Sequence, residues 1–136
     1  MRKAIFMILL AVVSSSAIAE WDKLSASNDG LQTGYIDRNS IQKKSHIVNM
    51  WSLVDFKSAQ RLEESTSPMF YKSIAKRFDY DCKKKQYRMT AYNYYSDNLG
   101  EGDIIIGDSH LDKSDWQKVE LHSFEEGLWK IACSKK

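Results

Sequence analysis

One proline, six glycines, three histidines and two cysteines are spread over 136 residues, and each shortage closes off a class of function. Cys82 and Cys133 stand about fifty residues apart, with no Cys-x-x-Cys or histidine pair beside them, so zinc-ligand spacing is absent. His46, His110 and His122 share no motif with a serine or cysteine, which leaves no arrangement of nucleophile, base and orienting group. Neither a Gly-x-Gly-x-x-Gly stretch nor a P-loop occurs. The expectation is a protein that is not an enzyme and needs no cofactor or metal. Asp79 and Asp81 would share a strand face roughly 7 Å apart, a pairing a glycosidase could use. Arg77 and Lys83 flank them, and a charge-balanced surface is the better reading.

Charge of one sign is also scarce. The chain carries 20 Lys and Arg against 18 Asp and Glu, and Arg2 and Lys3 supply the whole excess. Those two residues open an export signal. An apolar run follows over residues 4–13, then a small, weakly polar stretch ending in Ala17-Ile18-Ala19. The predicted division is a signal peptide over residues 1–19 and one domain over residues 20–136. The apolar run is too short to span a bilayer, and no transmembrane segment is expected after signal cleavage. The expected location is the periplasm, or the cell surface and beyond. No cysteine follows the cleavage point, so a lipid anchor there is not expected. Without its signal the chain is neutral, which argues against a nucleic-acid partner. Two cysteines in an exported chain most often pair, and a Cys82–Cys133 bridge would close much of the second half into one loop.

The remaining chain reads as strands. Residues 20–25 and 32–36 form a hairpin around Asn28, Asp29 and Gly30, residue types that suit a tight turn. Residues 37–40 end the second strand, with Asp37 capping a single helical turn that tucks Ile41 inward. Residues 46–57 are apolar on both parities around Trp51, as in a covered central strand. Residues 58–68 turn polar and hold the one proline, so they read as the longest loop. Over residues 70–82, Ile74, Phe78, Tyr80 and Cys82 share one parity, a half-buried strand. Lys83, Lys84 and Lys85 make the turn. Residues 86–96 return, with Tyr87 and Met89 on one face and Arg88, Tyr92 and Tyr94 on the other. A short isoleucine strand at residues 103–107 follows, then an irregular stretch anchored by Trp116. Ser123 and Glu126 have capping-box spacing, and Phe124, Leu128, Ile131 and Ala132 recur at helical intervals. Gly127 within that helix would allow close approach to the sheet. The fold class is α+β: an antiparallel sheet of about six strands, a C-terminal helix packed on one face, and one disulfide.

Charge and aromatics then concentrate. Residues 72–96 hold seven basic and two acidic side chains; residues 97–129 hold two basic and nine acidic. Four tyrosines, Tyr87, Tyr92, Tyr94 and Tyr95, crowd the strand after the lysine turn. Tyrosine and arginine bury area while keeping a polar tip, which suits a binding surface. The candidate surface is Lys83, Lys84, Lys85, Arg88, Tyr92 and Tyr94, meeting a protein partner.

The order of motifs carries a resemblance. Tyr35-Ile36-Asp37 precedes Ser40-Ile41, then comes the strand around Trp51. Phe78-Asp79-Tyr80-Asp81-Cys82-Lys83-Lys84-Lys85 follows, then Tyr94-Tyr95-Ser96, Gly100, Gly102, Leu128-Trp129-Lys130 and Cys133. The chain resembles the surface-adhesin protein E family of Gram-negative bacteria over nearly its whole length after the signal. The resemblance implies an antiparallel sheet with its helix tied by the Cys82–Cys133 bridge. It also implies adhesion to host matrix proteins or contact with envelope proteins, and a capacity to form homodimers. The second reading is a periplasmic structural or regulatory protein with one dedicated partner.

Overall fold

The computed structural model describes residues 20–63, 65–111 and 114–134; the predicted signal peptide lies outside them. Seven strands form one antiparallel sheet: β1 (Asp22–Ala26), β2 (Gln32–Lys44), β3 (Ile47–Arg61), β4 (Phe70–Asp81), β5 (Gln86–Tyr95), β6 (Ile104–Asp108) and β7 (Gln117–Lys118). Their order follows the sequence from β1 to β6, with β7 beside the first residues of β5. A helix, α1 (Phe124–Ala132), ends the chain's described part. This is the α+β meander with a terminal helix that the residue pattern predicts. Among the described residues no helix is long and apolar enough to cross a membrane.

Local chemistry sets the turns. Asp29 accepts hydrogen bonds from Ser27 Oγ and Leu31 N, and Gly30 takes φ +72°, closing the β1–β2 hairpin. Those bonds, the Ser27 hydroxyl's foremost, hold the Asp29 carboxyl below its ordinary range. At the β4–β5 turn Asp81 Oδ1 accepts from the backbone N–H of Lys83 (3.0 Å) and Lys84 (2.9 Å), while Lys85 takes φ 52°.

The second strand is longer than its polar run suggests. Residues 37–40 do not end it, and Ile41 sits in no helical turn: β2 continues to Lys44 across an irregularity between Asp37 and Gln42. Ser40 explains why. Its hydroxyl donates to Asp37 O at 2.6 Å and accepts from Trp51 N at 2.9 Å, so a side chain maintains the ladder where the backbone steps out of register. Asp37 accepts from Asn39 N instead of capping a helix. The third strand likewise outruns its forecast. It bulges between Asp55 and Gln60, then pairs Gln60 with Tyr71 and Arg61 with Phe70, so the loop shrinks to residues 62–69.

The core lies between the sheet and α1. Leu128 and Ala132 close over Ile36, Val48, Met50 and Tyr80, all nearly excluded from solvent. Burying a leucine side chain of this kind stabilises by about 1.5–3 kcal/mol. Ser123 caps the helix by accepting from Glu126 N at 3.1 Å, and Glu126 reaches back to His122 N at 3.3 Å, one residue before the cap, a capping box with its return bond displaced by one residue. Cys82 and Cys133 are bonded, with Cα atoms 5.5 Å apart, so the helix is tied at its far end as well. Gly127 does not bring the helix onto the sheet, since a Cβ there would meet nothing within 4 Å. The close approach is at Gly34 in β2, where a Cβ would lie 2.6 Å from the Phe124 ring.

The opposite face is covered more thinly. Ser73 donates to Asp97 O at 2.7 Å and accepts from Gly100 N at 2.9 Å, drawing the turn at residues 97–100 over the strands. A Cβ on Gly100 would meet Leu53, Trp21 and Tyr95, which locates that turn above the buried Leu53.

Candidate binding surface

One residue in β5 decides which side chains share a face. Arg77 pairs with Ala91 and Phe78 with Met89, which leaves Thr90 as an extra residue. Its hydroxyl accepts from Arg77 Nε at 2.8 Å, and its carbonyl accepts from Leu111 N at 3.1 Å. Directly opposed residues of an antiparallel pair point the same way. Tyr92, opposite Lys76, and Tyr94, opposite Ile74, therefore join Tyr87 and Met89 on the face that carries α1. Strict alternation along β5 had set them apart; the bulge reverses the parity.

The helix covers only part of that face. Beyond it an aromatic row crosses the strands. Phe56 meets Tyr71 at 5.7 Å between ring centroids, Tyr71 meets Tyr94 at 4.8 Å, and Tyr94 meets Tyr92 at 5.8 Å, all edge-on. Edge-on pairs of this kind each contribute about 0.5–1.5 kcal/mol beyond area burial, so the row is a fixed platform. Tyr71, Tyr92 and Tyr94 line a cleft of about 390 Å³, with Met89 and Ile106 as apolar wall, Arg61 and Lys76 as cations and Glu63 as a carboxylate. Nearby apolar side chains stay exposed: Phe70 at 52% and Ile106 at 39%.

The other predicted site residues lie elsewhere. Arg88 is on the opposite face. Its Nε donates to Asp79 Oδ2 at 3.1 Å and its guanidinium lies 4.5 Å from the Trp116 ring centroid. Both ends of that side chain are thus engaged within the fold, and the Asp79 carboxylate finds its counter-charge across the strand pair. Lys85 donates to Glu126 Oε2 at 3.2 Å and lies 5.5 Å from the Trp129 ring, tying the turn to α1. The His122 N–H first, then Lys85 and Lys130, hold the Glu126 carboxyl below its ordinary range. Lys83 and Lys84 are exposed at the turn. Eight or more residues of strand separate them from Tyr92 and Tyr94, roughly 25 Å at strand rise. The six candidates therefore occupy three places: the turn, the opposite face and the aromatic row. Tyr71, Lys76 and Arg61 were missed. Lys76 shares the parity of Ile74 and Phe78, and the β4–β5 register sets it opposite Tyr92; Tyr71 has the other parity and reaches Tyr94 through its ring contact.

Fold and surface together define a class: an antiparallel β-sheet domain with a disulfide-tethered terminal helix and an aromatic cleft on the sheet the helix leaves bare. Residues 21–134 match the family model for surface-adhesin protein E. The chain belongs to the surface-adhesin protein E family, a family of surface adhesins and not of enzymes. Solved structures agree in fold. Crystal form II of Haemophilus influenzae protein E is 15% identical with a TM-score of 0.57, covering 82% of this chain and 86% of that one. A second Haemophilus influenzae protein E structure is 16% identical with a TM-score of 0.56, covering 83% of this chain and 92% of that one. None of the curated proteins matches the chain.

Proposed function

We propose that this chain is an exported, adhesin-like domain that binds a protein partner through the aromatic cleft of Tyr71, Tyr92 and Tyr94. The observation carrying this reading is the row of edge-packed rings on the part of the sheet that α1 leaves open. Tyrosine and arginine, both present at this cleft, are among the residue types that carry most of the binding energy at protein interfaces. The rings are held by one another before any partner arrives, so little side-chain entropy is lost on contact. Arg61 and Lys76 outweigh Glu63 on the rim, and the net positive charge favours a partner with acidic groups beside its apolar anchors. The partner class is a host matrix protein or an envelope protein, in keeping with the family.

A panel of immobilised matrix and envelope proteins, probed with the purified domain, tests this. Binding to at least one member should weaken on Lys76→Glu, which reverses charge at the cleft without removing a ring. Lys84→Glu should leave that binding in place. No binding to any member, or binding that Lys76→Glu leaves untouched, would remove the cleft from the account.

A further inference from the structure

A second and larger cleft opens at the other end of the helix, beside the disulfide. We propose that it binds an acidic peptide segment carrying an apolar or aromatic side chain, independently of the aromatic cleft. Its volume is about 860 Å³, far more than a lone inorganic anion fills. Val48, Ala132, Trp129 and the Cys82–Cys133 bridge form an apolar floor; Lys43, Lys83, Lys130 and His46 stand on its walls.

Three strands of chain converge to make it. Lys43 pairs with Val48 in the β2–β3 ladder, so its side chain leaves the sheet on the helix side. Lys83 begins the turn after Cys82. Lys130 stands on the last turn of α1, and Trp129 is fixed by its Nε1–H donating to Asp81 O at 3.0 Å.

Among the described residues no carboxylate lines this cleft, and Asp81 and Glu126 on the neighbouring elements are buried. Asp81 is buried, with Oδ1 accepting two turn N–H groups and Oδ2 lying 3.7 Å from His46 Nε2. Glu126 is buried under Lys85 and Lys130. The Lys130–Glu126 pair is an exposed pairing on the lysine side, at 65% exposure, so Lys130 can swing to a ligand at little cost. The C-terminal end of α1 disfavours an anion through the helix dipole, an effect of about 0.3–1 kcal/mol; Cys133 N on Trp129 O and Ser134 N on Ile131 O satisfy two of the terminal carbonyls, and the lysines around the cleft outweigh the remainder.

The occupant follows from the combination. A cationic rim alone would suit any polyanion, but a uniformly charged chain gains nothing from a floor of valine, alanine, indole and disulfide. A peptide with carboxylates flanking one apolar side chain satisfies both.

Isothermal titration with acetyl-Glu-Glu-Phe-Glu-Glu-amide tests the proposal. The affinity of the folded, oxidised domain should fall about tenfold on Lys43→Glu with Lys83→Glu, two exposed positions where the melting temperature should hold. It should not change on Lys23→Glu with Lys57→Glu, exposed lysines at the far side of the sheet. Replacing the phenylalanine of the peptide by serine should weaken binding as well. The proposal is overturned if the Lys43 and Lys83 changes leave affinity intact. It is equally overturned if the serine peptide or a sulfated oligosaccharide binds as tightly as the phenylalanine peptide, since charge alone would then account for the cleft.

Discussion

Changing Cys82 and Cys133 together to alanine tests how the helix is held. The bridge joins residues 51 apart in sequence. In the chain-entropy account, a closed loop of that length lowers the freedom of the unfolded chain by about 4 kcal/mol at 25 °C. A domain of this size has roughly 5–15 kcal/mol in all, so the bridge is a large share of its stability. The folded state loses much less. Leu128 and Ala132 keep their places on Val48, Met50 and Tyr80, and the Ser123 cap is untouched. The variant should therefore fold with α1 in place but unfold far more easily. Urea unfolding followed by tryptophan fluorescence is the assay. With a slope of about 1–3 kcal/mol per molar urea, the midpoint should drop by roughly 1.5–4 M. Reducing the wild-type protein should reproduce the drop, and a reductant should not move the variant. A shift worth less than about 1 kcal/mol would refute the reasoning, because the loop-closure entropy would then be missing from the unfolded state.

Other outcomes follow from single positions. Gly127→Ala should stabilise by about 1 kcal/mol in the same urea titration, since the new methyl meets open space and the helix loses a glycine. Tyr80→Phe should stabilise by on the order of 1 kcal/mol. Its hydroxyl is buried with no protein partner among the described residues, and burial pushes its ionisation well above the ordinary tyrosine range. Glu126 sets part of the acid response. Its carboxyl is held below its ordinary value, so its contribution to stability is present above the unfolded-state value and is lost as pH falls through the folded one. Glu126→Gln should flatten the acid side of a melting-temperature profile, and an unchanged profile would show that the carboxylate carries no such linkage.

The parts of the fold legible in the sequence are those set by local or compositional rules. The capping box at Ser123 and Glu126 needs only four residues, and the Cys82–Cys133 bridge only an export signal and two cysteines. Alternation along β4 places Ile74, Phe78 and Tyr80 correctly because that strand keeps its period over those residues. Failures fall where a distant partner overrides a local signal. Residues 37–40 have the composition of a turn, and it is the bond from Trp51 N to Ser40 Oγ that keeps them in a strand. Thr90 carries no mark of a bulge; Arg77 from β4 and Leu111 from the following loop hold it there. That one residue moved Tyr92 and Tyr94 to the helix-bearing face and separated them from Arg88. The candidate surface was visible as composition, but its geometry depended on register. Gly127 misled for a related reason: a glycine in a helix suggests close packing, yet the contact with Phe124 is made at Gly34.

The claim that most needs a measurement is partner binding through the aromatic row. With a partner from the panel immobilised, surface plasmon resonance should compare wild type, Tyr71→Ala with Tyr94→Ala, and Lys76→Glu, each checked for an intact far-ultraviolet circular dichroism spectrum. Removing two interfacial rings should weaken binding by at least about thirtyfold, the effect of a loss near 2 kcal/mol. Lys76→Glu should weaken it too, while Lys84→Glu leaves it unchanged. Folded ring and charge variants that bind as tightly as wild type would contradict the account.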